Sequence, residues 1–228
     1  MRIGQEQGRT GHSGVWQRLV GCGFRLLYHE LACSYDLVAW LVSFGQWRAW
    51  GRTALPHLAG GRVLELGHGP GHLLVALAAA GLRPVGLDAS PQMGRLARRR
   101  LRRAGLGQSL ARGQAQRLPF ATHSFDGVVA TFPTVYIASA ATLAEVARVL
   151  RPGGRLVVVL GARLSGRDPL SRFVEWLYLI TGQREAVDAA AWEAPFAAAG
   201  FDVRPLQVAM KRSQVYLVIA EPAIPNRT

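Results

Sequence analysis

Apolar and polar positions along this chain follow two periods that take turns. Between residues 62 and 160, strand-length apolar runs fall at 62 to 66, 84 to 88, 109 to 112, 125 to 131 and 155 to 160, with helix-length stretches at 71 to 80, 90 to 104 and 139 to 150. Continuously apolar strands that alternate with helices predict a parallel sheet covered on both faces. Further helices are predicted near 169 to 181 and 189 to 199, after which VRPLQVAM (203 to 210) and QVYLVIAE (214 to 221) flank Lys211-Arg212-Ser213 as a β-hairpin. The expected fold class is thus α/β, a doubly wound, mostly parallel seven-stranded sheet with an antiparallel C-terminal strand.

Upstream the pattern differs. Residues 1–14 are polar and Gly-rich and read as a flexible tail. Residues 15–54 read as an N-terminal helical cap or lid, within which Leu37, Trp40, Leu41, Phe44 and Trp47 fall on one apolar helix face, and Gly51 reads as a helix stop. The domain proper is expected over 55–228.

The most informative local pattern is RVLELGHGPG (62 to 71) followed by VGLDAS (85 to 90). A strand runs into Gly67, Gly69 and Gly71 and then into an apolar helix, so the glycines occupy a strand-to-helix turn. There the backbone approaches a ligand closely, and the first helical NH groups favour a carboxylate or phosphate. Asp88 ends the second strand, placed to accept ribose hydroxyls at the carboxyl edge of a parallel sheet. A dinucleotide fingerprint, GxGxxG counted from Gly67, would need its third glycine at His72; the chain instead has GxGxG with Glu65 two residues upstream.

With that spacing the sequence resembles the class I S-adenosylmethionine-dependent methyltransferases, whose first motif, ExGxGxG, is met from Glu65 to Gly71. The resemblance continues through GLDASPQM (86 to 93), RLPFATHSFDGVVA (117 to 130) and LRPGGRLVVV (150 to 159), in family order, and covers roughly Leu55 to Pro222. It is similar to the small-molecule and lipid branch that includes ubiquinone/menaquinone biosynthesis and phospholipid methyltransferases. It implies a Rossmann-like sheet, S-adenosyl-L-methionine as cofactor, and roles for particular residues. Gly67, Gly69 and Gly71 would pack against the methionine part, with Glu65 ordering the turn and the amino group. Asp88 would take the ribose, and Ala89 would lie along the adenine. Gln114-Ala115 stands where relatives commonly have an acid followed by Ala to read the adenine amino group; an amide oxygen accepts that hydrogen bond without charge assistance. Thr131 and Phe132 match the loop under the transferred methyl. Ser90, followed by Pro91, is the better cap for the next helix, and Asp126 reads as structural.

The implied reaction is in-line methyl transfer to a small, hydrophobic acceptor. Alignment supplies most of the acceleration, so no base is required. Weak candidates for acceptor contact are Tyr28, His29 and Tyr35 in YHELACSYD and Tyr136 in TFPTVYI, each of which also suits a core position with one hydrogen bond. His123 is expected in a solvent-facing loop. No metal-ligand spacing is present, so no metal is expected. Two other classes share parts of the pattern: a NAD(P)-dependent oxidoreductase, and a non-catalytic S-adenosylmethionine-binding protein.

Composition changes the picture in one respect. A formal charge of +13 rests almost wholly on arginine, with Lys211 the only lysine. Basic surfaces suit nucleic acid or an anionic membrane, but the place of the (D/N)PP(Y/F) motif of nucleic-acid amino-methyltransferases reads TFPT, so nucleic acid is not the expected partner. The cluster Arg95, Arg98, Arg99, Arg100, Arg102 and Arg103 reads as a solvated helix face. Trp16, Trp40, Trp47 and Trp50 lie beside Arg18, Arg25, Arg48 and Arg52 in the first part of the chain. That composition suits a lid touching an anionic membrane peripherally, and equally a packed helical cap. A polar start without a signal-peptide pattern gives a cytoplasmic expectation. Cys22 and Cys33 read as buried free thiols.

Overall fold

The computed structural model describes residue 43 and residues 45–58, 60–164 and 189–223. The tail 1–14, Cys22, Cys33, the apolar face from Leu37 to Phe44, the candidates Tyr28, His29 and Tyr35, and the helix expected near 169 to 181 lie outside them.

The elements run α1 (Trp47–Arg52), β1 (Arg62–Leu66), α2 (His72–Ala79), β2 (Arg83–Asp88), α3 (Pro91–Arg103), β3 (Leu110–Arg112), β4 (Phe125–Thr131), α4 (Ala140–Val149), β5 (Leu150–Leu164), α5 (Ala189–Ala198), β6 (Phe201–Met210) and β7 (Ser213–Pro222). They form one seven-stranded sheet in the order β3-β2-β1-β4-β5-β7-β6. β1 to β5 are parallel, and β7 runs antiparallel to both β5 and β6, as the alternation and the C-terminal hairpin predict.

Each central strand is apolar on both sides because both sides are covered. On one face Leu64, Leu66, Val128 and Leu156 pack with Leu143 and Val146 of α4 and Phe196 of α5. On the other, Val63, Val129, Val157 and Val159 pack with Leu73 and Leu77 of α2 and with Trp50 of α1. α3 is amphipathic: Met93, Ala97 and Leu101, at four-residue spacing, are buried, while Arg95, Arg98, Arg99, Arg102 and Arg103 are exposed and Arg100 is half-buried. Ser90 caps α3, accepting from the Met93 NH at 3.3 Å, with Pro91 as the first helical residue.

Three local expectations are corrected. Gly51 does not stop a helix; α1 runs through it to Arg52. Gly51 is buried, and an added Cβ would be in ordinary van der Waals contact with Thr131 Cγ2 at 3.7 Å. β5 is longer than 155 to 160, because Leu150 pairs with Phe125 and the far end continues on β7 to Leu164↔Ser213. The hairpin turn is Lys211-Arg212 alone. Ser213 belongs to β7, where its Oγ accepts from the Trp50 indole NH at 2.8 Å and donates to Gln46 Oε1 at 3.1 Å.

Away from the carboxyl edge, polar pairs hold loops. Asp126 accepts from the Arg62 NH and from Arg151, both at 2.6 Å; the backbone hydrogen bond from Arg62, with Arg151 beside it, holds its carboxyl below the usual range. Glu145 pairs with Arg148 at 2.7 Å and accepts from the Leu118 NH at 2.6 Å, while Arg148 donates to the Leu118 and Phe120 carbonyls. This ties RLPF to α4. Asp126 is therefore structural, and His123 is exposed, as expected.

Candidate functional site

The carboxyl ends of β1, β2 and β4 converge on the glycine turn. The Gly67 and His68 NH groups both donate to the Leu87 carbonyl, at 2.8 and 3.3 Å, which stitches the turn to the end of β2. Gly71, the N-cap of α2, has φ +81° and would place a Cβ 2.9 Å from Ala97 Cβ, so only glycine lets α3 cross there. His68, at the variable position between two glycines, is buried. Its Nδ1 lies 2.6 Å from the Gly69 carbonyl oxygen, and Gly86 leaves room for its ring. Burial lowers the His68 pKa, partly opposed by the charge of Asp88, so the imidazole is a neutral filler of the turn near pH 7.

Glu65 is the exceptional group. It is 2% exposed and its Oε2 has no hydrogen-bond partner. Burial, with the Asp88 charge as a lesser cause, raises its carboxyl well above the ordinary range. A buried acceptor left unsatisfied costs on the order of 1–3 kcal/mol, which a ligand cation would offset. Asp88 differs: Oδ2 accepts from the Gly69 NH at 2.9 Å and Oδ1 from the Ser90 NH at 2.8 Å. A carboxylate has about four acceptor positions, so two remain for hydroxyls.

At the end of β4, Phe132 takes φ +51° while its NH donates to the Val159 carbonyl at 2.7 Å. Its ring stacks on Trp47, with centroids 3.7 Å apart and planes at 29°, and meets Trp50 edge-on at 6.4 Å. Tyr136 sits in a 3-10 turn (Val135–Ala138), and its hydroxyl comes 3.1 Å from where a Gly67 Cβ would be.

A cleft of about 450 Å³ opens here. Glu65, the turn from Gly67 to Pro70, Thr131 and Phe132 line it, together with Trp47, Arg48, Gly51 and Arg52 of α1, His72, Leu73 and Val75 of α2, Arg100 and Arg103 of α3, and Ala104 just after it. Arg100 also donates to the Pro70 carbonyl. Of the residues expected from sequence, Gly71 and Tyr136 do not line this cleft, and Asp88, Ala89, Gln114 and Ala115 stand outside it on the same sheet edge. Ala89 and Gln114 are exposed, Asp88 is half-buried, and only Ala115 is buried. The Gly113 NH donates to the Asp88 carbonyl at 3.2 Å, so β3 carries Gln114 to the same edge. Sequence reasoning missed His68, His72, Leu73, Val75 and the cleft role of Arg100 and Arg103; Trp47, Arg48 and Arg52 had only the signal of aromatics among arginines. Among the described residues no group of His, Cys, Asp and Glu is arranged to hold a metal ion.

A methyltransferase-domain family model matches residues 63–154. A demethylmenaquinone methyltransferase from Thermus thermophilus is 33% identical over 208 residues, spanning 78% of this chain and 92% of the relative. The chain belongs to the class I S-adenosylmethionine-dependent methyltransferases. Another relative of this methyltransferase, the demethylmenaquinone methyltransferase of Symbiobacterium thermophilum, is 34% identical over 166 residues, which are 68% of this chain and 64% of that one, just under two thirds of its length. The solved geranyl diphosphate C-methyltransferase of Streptomyces coelicolor A3(2), in complex with Mg2+, geranyl diphosphate and S-adenosyl-L-homocysteine, is similar in fold, with TM-score 0.54 at 16% identity over 77% of this chain and 79% of that one.

S-adenosylmethionine, the family's cofactor, fits the residues present. The unpartnered Glu65 carboxylate beside an open glycine turn suits a cationic amino-acid portion, and Asp88 keeps acceptor capacity for a ribose.

Proposed function

We propose that this methyltransferase transfers a methyl group from S-adenosylmethionine to a small, hydrophobic, planar acceptor of the quinone-precursor class, by in-line displacement. The observation that carries the acceptor class is the Trp47–Phe132 stack, which forms an aromatic wall beside Thr131 in the same cleft as Glu65. The relatives named for demethylmenaquinone support it. When bound, the cofactor supplies an electrophilic methyl on a sulfonium. In this reading Glu65, Gly67 and Gly69 hold the amino-acid portion, Asp88 the ribose, and Ala89, Gln114 and Ala115 the adenine. Thr131 and Phe132 fix the height of the methyl, and Trp47 excludes water. Tyr136, its hydroxyl at the glycine turn, orients the acceptor oxygen by hydrogen bond. Holding the reactants close and aligned provides the rate.

The expected location is cytoplasmic with peripheral contact to an anionic membrane, supported by the exposed arginines of α3 and a charge of +13. Among the described residues no helix is long and apolar enough to cross a membrane. The test is mass spectrometry of methylated product from the purified protein with S-adenosylmethionine and a panel of demethylated quinols, catechols and polar amines. Transfer confined to the polar amines would overturn the acceptor class.

A further inference from the structure

The middle of the turn between β1 and α2 is held by hydrogen bonds rather than by packing. Gly69 has φ +50°, and a Cβ added there would meet nothing within 4 Å. Its left-handed conformation is therefore fixed by what its two peptide groups bond to. On one side the Gly69 NH donates to Asp88 Oδ2 at 2.9 Å. On the other its carbonyl oxygen lies 2.6 Å from His68 Nδ1. A carbonyl has no proton to give, so this contact requires the imidazole proton on Nδ1. The histidine is itself anchored. It is 4% exposed, its NH donates to the Leu87 carbonyl, and its carbonyl accepts from the Gly71 NH at 3.0 Å. Gly86 makes room for the ring, since a Cβ there would come within 2.8 Å of His68 Cδ2.

Asp88 is where these bonds lead. The last torsion of an aspartate is broad and roughly two-fold, so its carboxylate plane must be fixed from outside to meet a vicinal diol. The Gly69 and Ser90 NH groups do so, one on each oxygen. Ser90 follows Asp88 by two residues and moves with it, whereas Gly69 comes from the end of a neighbouring strand. We propose that His68 is a positioning residue for recognition of the cofactor's ribose: donating from Nδ1 to the Gly69 carbonyl, it sets the direction of the Gly69 NH and through it the plane of the Asp88 carboxylate. The inference rests on the reading of Asp88 as the ribose acid, and gives the side chain between the first two glycines of the turn a share in selecting the hydroxyls.

The test needs no acceptor. Calorimetry compares S-adenosyl-L-homocysteine with its 2′-deoxy counterpart in the wild-type chain and two variants, with a melting curve for each protein. A hydrogen bond to a charged group predicts that the wild-type chain prefers the hydroxyl-bearing ligand by roughly ten- to a hundredfold. His68→Phe keeps a ring and removes the donor, so the preference falls to within about threefold. His68→Asn removes the ring but puts an amide nitrogen where Nδ1 stood. It should keep a preference near that of the wild type, although the lost volume lowers its melting temperature. An unchanged preference in His68→Phe, with both ligands weakened alike, overturns the proposal, since His68 would then only fill the turn. Equal loss of preference in the two variants overturns it too, because ring volume and not the donor would set it. Nitrogen NMR of the wild-type imidazole depends on no variant and should find the proton on Nδ1; a proton on Nε2 alone overturns the proposal even where His68→Phe does not fold. A wild-type chain that binds both ligands equally overturns the reading of Asp88 itself, and the role of His68 with it.

Discussion

Glu65 and Asp88 stand at the ends of neighbouring strands, with Glu65 level with Gly86 in the parallel register of β1 and β2, yet their surroundings are opposite. Glu65 is buried in the cleft that α1 and the glycine turn also line, lacks a partner for one oxygen, and has its charge resisted by burial. Asp88 is half-buried, satisfied by two backbone NH groups, and flanked by exposed Ala89 and Gln114. The amino-acid end of the site is therefore an unsatisfied, enclosed half that a ligand completes, and the adenosine end is an open half held in shape by its own hydrogen bonds. A ligand should gain selectivity at the first and register at the second.

The largest effect is expected at the open half. Asp88→Ala removes two ribose hydrogen bonds and also frees the Gly69 and Ser90 NH groups. Calorimetry should show cofactor affinity weakened by on the order of 2–4 kcal/mol, and an unchanged affinity would mean that the ribose is held elsewhere.

Glu65→Gln separates binding from stability and comes next. Cofactor affinity should fall by about 1–3 kcal/mol, while the cofactor-free protein should melt higher than wild type at pH 8 and near wild type at pH 4. The sign follows from the raised carboxyl. Folding favours protonated Glu65, so this stability is present below the ordinary value of 4.5 and is lost as pH rises towards the folded value. Asp126 and Glu145 act oppositely. Their carboxyls are held low, chiefly by the Arg62 NH and the Arg148 side chain, so they contribute stability above the ordinary carboxylate range that is lost as pH falls through their folded values. Melting curves in which the variant and wild type differ equally at both pH values would contradict the account of Glu65.

Trp47→Ala removes one face of the stack on Phe132. Aromatic pairs contribute about 0.5–1.5 kcal/mol beyond their burial, so KM for an aromatic acceptor should rise several-fold with cofactor affinity little changed. A matching loss of cofactor affinity would move Trp47 from the acceptor wall to the cofactor wall. Gln114→Asp is the smallest expected change, a gain of up to roughly 1 kcal/mol in cofactor affinity from a charged acceptor for the adenine amino group. Marked weakening would show that the amide serves as a donor.

Local chemistry made much of this protein legible in its sequence. The strand runs, the GxGxG turn with Glu65, the terminal position of Asp88 and the Ser90-Pro91 cap are each set by neighbours within a few residues, and all lie where the periodicity and turn chemistry predict. The C-terminal hairpin was legible for the same reason, apart from the assignment of Ser213 to its turn. Ser213 is in β7 because it is bonded to Trp50 and Gln46, more than 160 positions away in the chain, and no local pattern encodes such a partner. Gly51 misled likewise, since a glycine that ends a helix and one that lies within its last turn are the same residue in sequence. The enclosure of Glu65, the stacking of Trp47 on Phe132, the room that Gly86 leaves for His68 and the gathering of arginines from α1 and α3 around one cleft were decided by the tertiary structure alone. These depend on the distance and dielectric between elements that meet only when the sheet is assembled, whereas residue type and spacing determine only what each element offers to that meeting.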